Sequence, residues 1–204
     1  MLAENKDEMR EKILEAALKR FMHYGASKTT MNEIADDLRC SKASLYYYFS
    51  DKKALHNAVL MKIGEAFFQE LESEADRTDI SAEQIFFNMI QSKIQFIERF
   101  SRLELFKVLN DKTPEIQEII NSVQSREYAM HIKIVKRGVT TGEFDVTNPE
   151  EIGMLYQDAM EGLRFAGMSC MPEVVVDLDK EGFEKIVAQQ KLLTEIFVRG
   201  IKKQ

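Results

Sequence analysis

The chain has 204 residues, 45% of them apolar and 30% charged, a balance that excludes a disordered chain and suits one or two small domains with a real core. A formal net charge of −6 rules out attraction of nucleic acid through the global field, so any phosphate binding must come from a local patch. No apolar run approaches the ~18 residues of a membrane span, and the start MLAENKDEMREK has no signal-peptide hydrophobic stretch. A cytoplasmic protein is expected.

In chain order, residues 7–24 read as a first helix, with Ile13, Ala17 and Phe21 on one face and Gly25 as a left-handed stop. His23 stands near its end as a surface or dipole partner. Residues 29–53 then hold two short helices and the start of a longer one. Thr30-x-x-Glu33 is a capping box, and the helix it opens carries Ile34, Ala35 and Leu38 inward. Ser41 can cap a second helix only a few residues later. So short a connection forces a steep crossing, as in a helix-turn-helix.

The second short helix is unusual in what it leaves outside. Leu45 and Phe49 share its inner face. Ala43 and Tyr47 lie opposite, flanked by Lys42, Ser44 and Tyr46, with Tyr48 beside the buried edge. A purely structural helix this short has no need of three consecutive tyrosines. A helix in a DNA groove can use them, with hydroxyls on phosphates and ring faces on thymine methyls. Ser50 or Asp51 caps the next helix and puts Lys52 in its first turn. A cation there opposes the helix dipole unless a phosphate sits on that N-terminus.

Taken together, Ile13-x-x-Ala16-Ala17-x-x-x-Phe21, Tyr24-Gly25, Thr29-Thr30, Ile34-Ala35, Ser41-Lys42-x-Ser44-Leu45-Tyr46-x-Tyr48-Phe49 and Lys52-x-x-Leu55 resemble the DNA-binding domain of the TetR family of bacterial transcriptional regulators. Two positions depart from that pattern. Arg39-Cys40 stands where the family usually has Gly-Val, and Ala43 where it often has Gly. If the turn needs a left-handed residue at position 39, Arg bears a steric cost there. The resemblance and the exposed face together give an expected DNA-binding set of Thr29, Thr30, Lys42, Ala43, Ser44, Tyr46, Tyr47, Tyr48 and Lys52. Lys42, Ala43, Ser44 and Tyr47 are expected on base edges, and Thr30, Tyr46, Tyr48 and Lys52 on phosphates. Charge agrees in sign only weakly: residues 1–55 hold ten Lys/Arg and nine Asp/Glu, while the remainder is net −7.

The rest is helix signals. A long helix is expected over 52–75, interrupted by no flexible linker, with the polar run 72–79 as a boundary. Ser81-x-x-Gln84 reads as another capping box, opening a helix to about residue 100; a shorter one holds Leu103, Phe106 and Leu109. Thr113-Pro114-Glu115 and Asn148-Pro149-Glu150-Glu151 start two more, and a last helix runs over 179–202. Pro172 falls in a loop, and the valines at 174–176 are too few for a strand. The fold class is all-α: an N-terminal three-helix helix-turn-helix domain (1–52) joined by a long helix to a helical ligand-binding and dimerisation domain (53–204).

No catalytic constellation is visible. His23, His56 and His131 have no metal spacing, and there is no P-loop, dinucleotide fingerprint or nucleophile elbow. No enzyme and no cofactor is expected. Cys40 and Cys170 read as inert thiols, with a redox switch at Cys40 as the alternative.

One oddity stands in the second part. The stripe Ile116, Ile119, Ile120, Val123, Met130 and Ile134 is interrupted by Glu127. Either the carboxylate pairs with an Arg on a neighbouring helix or reaches solvent, or it is the polar group of a ligand pocket. On the second reading Phe96, Phe100, Phe106, Met130, Tyr156 and Met160 line the pocket with it, among other Phe and Met residues such as Met168, and the effector is apolar or cationic-amphipathic. The last two helices carry wide apolar stripes, Ile152, Leu155, Tyr156, Ala159, Leu163 and Ala166 on one and Phe183, Ile186, Val187, Leu193, Ile196 and Phe197 on the other. The resemblance implies that these pair with their symmetry mates. It thus implies a ligand-responsive homodimeric regulator, most often a repressor, on a palindromic operator; the mechanism expected here is a population shift in which ligand holds a state whose long helix swings the reading heads out of register. The reading from another class is a helical-bundle carrier or enzyme for an apolar ligand whose helix-turn-helix serves protein contacts.

Overall fold

The computed structural model describes residues 2–103, 113–169 and 180–203. Phe106, Leu109, Cys170, Pro172 and the valines at 174–176 lie outside the described residues, as do the side chains of Met168 and Phe183. The described residues form eight α-helices: α1 (Leu2–Tyr24), α2 (Met31–Asp37), α3 (Lys42–Tyr48), α4 (Lys52–Ala75), α5 (Ala82–Arg99), α6 (Pro114–Thr140), α7 (Pro149–Ser169) and α8 (Lys180–Ile201), with one 3₁₀ turn at Ser101–Leu103. Pairing of strand type among them is confined to an isolated bridge between Phe144 and Lys202. The all-α architecture expected from the sequence is the one observed.

The chain divides into two units. The first holds residues 1–68 and 98–108, the second 69–97 and 109–204. The division falls inside α4 and again near the end of α5.

The core of the first unit is built on α1. Ile13, Ala17 and Phe21 are fully buried, as are Ile34, Leu45 and Leu55 from the next three helices. Gly25 ends α1 at φ +90, a left-handed conformation that residues with a side chain rarely adopt, and its N–H closes on the Phe21 carbonyl at 2.9 Å. Arg20 of α1 holds Asp37 at the end of α2 through two N–H donors, which keeps the Asp37 carboxyl below the usual carboxylate range. The His56 ring on α4 bonds the Leu103 carbonyl at 2.8 Å and stands edge-on to Phe21.

In the second unit α6 and α7 approach closely. The approach depends on Gly153, where a β-carbon would lie 2.7 Å from the Ile132 Cα. The Ser81 cap of α5 differs from the reading of the sequence. Ser81 accepts from the Gln84 N–H, but the Gln84 amide turns forward to Asn88 instead of back to the cap, so the box is one-sided. Asn148 caps α7 by accepting from the Glu151 N–H.

Candidate nucleic-acid interface and buried polar layer

The head is assembled from local rules. Thr30 caps α2 with both halves of the capping box present: the Glu33 N–H reaches the Thr30 hydroxyl at 3.3 Å, and the Thr30 N–H reaches the Glu33 carboxylate at 2.7 Å. The bonds from Thr30 hold the Glu33 carboxyl below its ordinary value. Ser41 caps α3 by accepting from the Ser44 N–H at 3.1 Å. Between them Arg39 adopts φ +51, the left-handed conformation that the sequence placed in question, and Cys40 donates to the Ala35 carbonyl. Leu45 at 0% and Phe49 at 5% exposure pin α3 inward. Its other face is open, with Tyr47 68% and Tyr46 41% exposed. Lys42 and Ala43 are exposed, and Ser44 and Tyr48 half-buried.

A groove of about 280 Å³ gathers Thr29, Thr30, Lys42, Tyr46 and Lys52 with Ser27 and Asn32. Asp51 is the residue that caps α4, accepting from the Ala54 N–H at 2.7 Å. The Lys52 ammonium donates to the Ser27 carbonyl at 3.0 Å, so it is held at the groove edge. The Lys42 ammonium lies 5.7 Å from the Tyr46 ring centre. Thr29 borders the groove from beneath. It is buried, with its hydroxyl donated to the Gly25 carbonyl. Ala43, Ser44, Tyr47 and Tyr48 lie along α3 outside the groove lining. Sequence reasoning missed Lys6, whose ammonium stands 5.2 Å from the Tyr47 ring centre; nothing in its local sequence marks it, because α1 reaches α3 only through the fold.

In the second unit the structure places Glu127 in a polar layer. Lys93 of α5 donates to one carboxylate oxygen at 2.7 Å, and the Gln157 amide of α7 donates to the other at 2.7 Å. Burial pushes this carboxyl up, but the Lys93 charge and these bonds outweigh it, and the group titrates below its ordinary value. The Glu is therefore paired across helices, to a Lys where an Arg was expected. One turn on, His131 is 2% exposed, and burial with the Lys93 charge pushes its pKa down to about 3 against the pull of Glu127 and of a Gln157 hydrogen bond. His131, Tyr156 and Phe86 form an aromatic cluster, His131–Tyr156 at 4.8 Å and Phe86–Tyr156 at 4.9 Å between ring centres. The Tyr156 hydroxyl shares a hydrogen bond with Thr194 of α8 at 2.7 Å.

Of the expected pocket residues, Glu127, Met130, Tyr156 and Met160 come from the facing helices α6 and α7, the last three buried. Phe96 is half-buried on α5, Phe100 is buried in the first unit, and Phe106 lies outside the described residues. Sequence reasoning missed His131, Gln157 and Lys93. The available signal was the i, i+4 spacing of Glu127 and His131, two polar groups on one apolar stripe. On α7 and α8 another surface is open: Met154, Leu155, Phe165, Leu192 and Ile196 are 46–60% exposed. No helix among the described residues is long and apolar enough to cross a membrane, and no cluster of metal-ligating side chains occurs among them.

A capped helix-turn-helix head with an outward tyrosine face, fused through a continuous helix to an all-α second unit, defines a DNA-binding regulatory protein. The family model for bacterial regulatory proteins of the tetR family matches residues 13–59. A transcriptional regulator from Cytophaga hutchinsonii superposes with a TM-score of 0.81 at 30% identity, covering 95% of this chain and 98% of that one. The chain belongs to the TetR family. It is also similar to a probable acrEF/envCD operon repressor of Escherichia coli K12, 28% identical over 123 residues, where it spans 54% of that protein's length. The regulator QacR of Staphylococcus aureus strain Mu50 is 22% identical over 198 residues, with 96% of this chain and 99% of that protein covered.

Proposed function

We propose that the protein is a ligand-responsive repressor that binds a palindromic operator as a homodimer and is released by a small apolar or amphipathic effector. Residues 1–52 form the DNA-binding part and 53–204 the effector-binding and dimerisation part. The observation that carries the reading is the split of α3 between a buried Leu45 and Phe49 and an outward Lys42, Tyr46 and Tyr47 beside the groove that holds Thr30 and Lys52. Lys42, Ala43, Ser44 and Tyr47 meet base edges. Thr30, Tyr46, Tyr48 and Lys52 hold phosphates, and Thr29 supports them from below. The exposed apolar residues of α7 and α8 are the surface on which two copies pair, a C2 arrangement that matches two half-sites. Glu127, Met130, Tyr156 and Met160 form the effector site, with Phe96 as further lining.

Effector binds the DNA-incompetent state more tightly, and operator DNA reciprocally weakens effector binding. Gel-shift against DNA upstream of its own gene tests the reading. Lys52→Ala should weaken binding to all sequences about equally and flatten the slope of log affinity on log salt by about one unit. Tyr47→Ala should change sequence preference instead. Wild-type operator binding by both variants would remove α3 from the groove, and a light-scattering mass near 23.6 kDa at micromolar concentration would remove the dimer.

A further inference from the structure

The outward face of α3 has a neighbour that belongs to another helix. Tyr47 is 68% exposed, and its ring has two contacts. The Tyr48 ring meets it edge-on, with centres 5.1 Å apart. The Lys6 ammonium of α1 lies 5.2 Å from its centre. One turn along α1, the Arg10 guanidinium stands 5.3 Å from the Phe49 ring centre. Lys6 and Arg10 are spaced i, i+4 and share a face of α1. Ile13, Ala17 and Phe21 continue that face into the core. The core-facing side of α1 therefore ends in two cations, each set on an aromatic ring at α3.

The charges nearby single out Lys6. Glu8 is bonded to Lys12 at 2.7 Å and Glu11 to Lys62 at 2.5 Å. Arg10 also has Glu11 at 3.9 Å. Asp7 projects about 100° away from Lys6 round the helix. Lys6 is exposed, and a ring face attracts its ammonium without neutralising it. The major groove of B-DNA is about 12 Å wide, so a side chain reading its middle has a phosphate wall about 6 Å to either side. The 5.2 Å between the Tyr47 ring and the Lys6 ammonium matches that half-width, and α1 brings the ammonium in from outside α3.

We infer that Lys6 is a DNA-contacting residue: seated on the Tyr47 ring, it binds a backbone phosphate of the groove wall beside the bases that Tyr47 meets. This rests on the reading of α3 as the groove helix, and it adds to that reading a contact from α1, outside the helix-turn-helix.

The test is fluorescence-anisotropy titration of the full-length protein with DNA upstream of its own gene, over a range of salt. Lys6→Gln should flatten the slope of log affinity on log salt by about one unit, as Lys52→Ala should. It should weaken binding to the upstream DNA and to an unrelated duplex by the same factor, because a phosphate contact carries no sequence information. Lys6→Arg should keep the wild-type slope. Lys12→Gln makes the same change of charge on the same helix, about 120° round from Lys6, and measures what charge alone does at long range. A slope in Lys6→Gln no flatter than in Lys12→Gln overturns the inference. So does a loss confined to the upstream DNA, or a Lys6→Arg slope as flat as that of Lys6→Gln. Lys52→Ala separates the two readings. If it flattens the slope and Lys6→Gln does not, the contact from α1 falls and the reading of α3 stands. If neither variant flattens it, both fall.

Discussion

The head and the polar layer of the second unit put polar side chains to opposite uses. In the head, Thr30, Ser41 and Asp51 spend their oxygens on the N–H groups of their own helices, within three residues in sequence. In the second unit, Lys93, Glu127 and Gln157 come from three helices, with 34 and 30 residues between the partners. The first kind of bond fixes local geometry and leaves a face free for a macromolecule. The second fixes the packing of distant helices. A surface reader needs rigid local shape, and a helical bundle needs bonds between its helices.

The sharpest way to break this comparison is in the head. Leu45 is fully buried in a helix of seven residues, and Leu45→Ala should cost about 2–5 kcal/mol. Tyr47→Ala, on the same helix but 68% exposed, should stay within about 0.5 kcal/mol of wild type in stability. Urea unfolding of both variants beside operator binding separates the roles. A Tyr47→Ala as unstable as Leu45→Ala would mean that the outward face is structural.

Next comes the crossing of α6 and α7. A β-carbon at Gly153 would meet the Ile132 backbone at 2.7 and 2.8 Å, so Gly153→Ala should destabilise by about 1–3 kcal/mol. Gly64 inside α4 meets nothing within 4 Å, so Gly64→Ala should stabilise by about 1 kcal/mol through helix propensity alone. Thermal melts of the pair must move in opposite directions; melts that move together would show that space at Gly153 does not control the packing.

These contrasts also explain what the sequence made legible. The caps at Thr30, Ser41 and Asn148, the stop at Gly25 and the inward Leu45 and Phe49 rest on neighbours within a few residues, so pattern alone reveals them. The bounds of α4 follow for the same reason. Glu127 was visible as an anomaly, because a charge on an apolar stripe is a local fact. Its partners were not, since Lys93 and Gln157 reach it only after α5, α6 and α7 pack. His131 stayed hidden among three histidines because burial, not spacing, makes it unusual. The one-sided cap at Ser81 shows the same limit from the other side: Gln84 had a competing partner, Asn88, one turn along.

The polar layer should announce itself in the pH dependence of stability. His131 has its pKa lowered from 6.5 to about 3 in the fold. The unfolded chain therefore takes up a proton near pH 6.5 that the folded chain refuses until about pH 3, and stability falls as pH drops through that window. The loss between pH 6.5 and about pH 5 should be on the order of 2 kcal/mol. Above about pH 5 the Glu127 carboxyl, held below its ordinary 4.5, contributes little to this slope. Urea midpoints across that range should slope in the wild type and flatten in His131→Phe. An equal slope in both would move the acid sensitivity away from the layer.

The smallest effect returns to the turn of the head. Arg39 is the residue other than glycine that adopts positive φ among the described residues, at +51, and a β-carbon in the left-handed region costs about 1–2 kcal/mol. Glycine removes that strain but loses about 0.5–1 kcal/mol in the freer unfolded chain. Arg39→Gly should therefore raise stability by about 0.5–1 kcal/mol, the difference between the two. The Arg39 side chain is exposed, so the change removes little packing. Urea unfolding would show a higher midpoint at an unchanged slope. Operator titration over a range of salt reads a second property of the same variant. If Arg39 also touches a phosphate, affinity falls while stability rises, and the salt slope flattens by about one unit as it does for Lys52→Ala. A midpoint at or below wild type would show that the turn holds no strain for glycine to relieve. The departure at this position would then be neutral for the fold of the head.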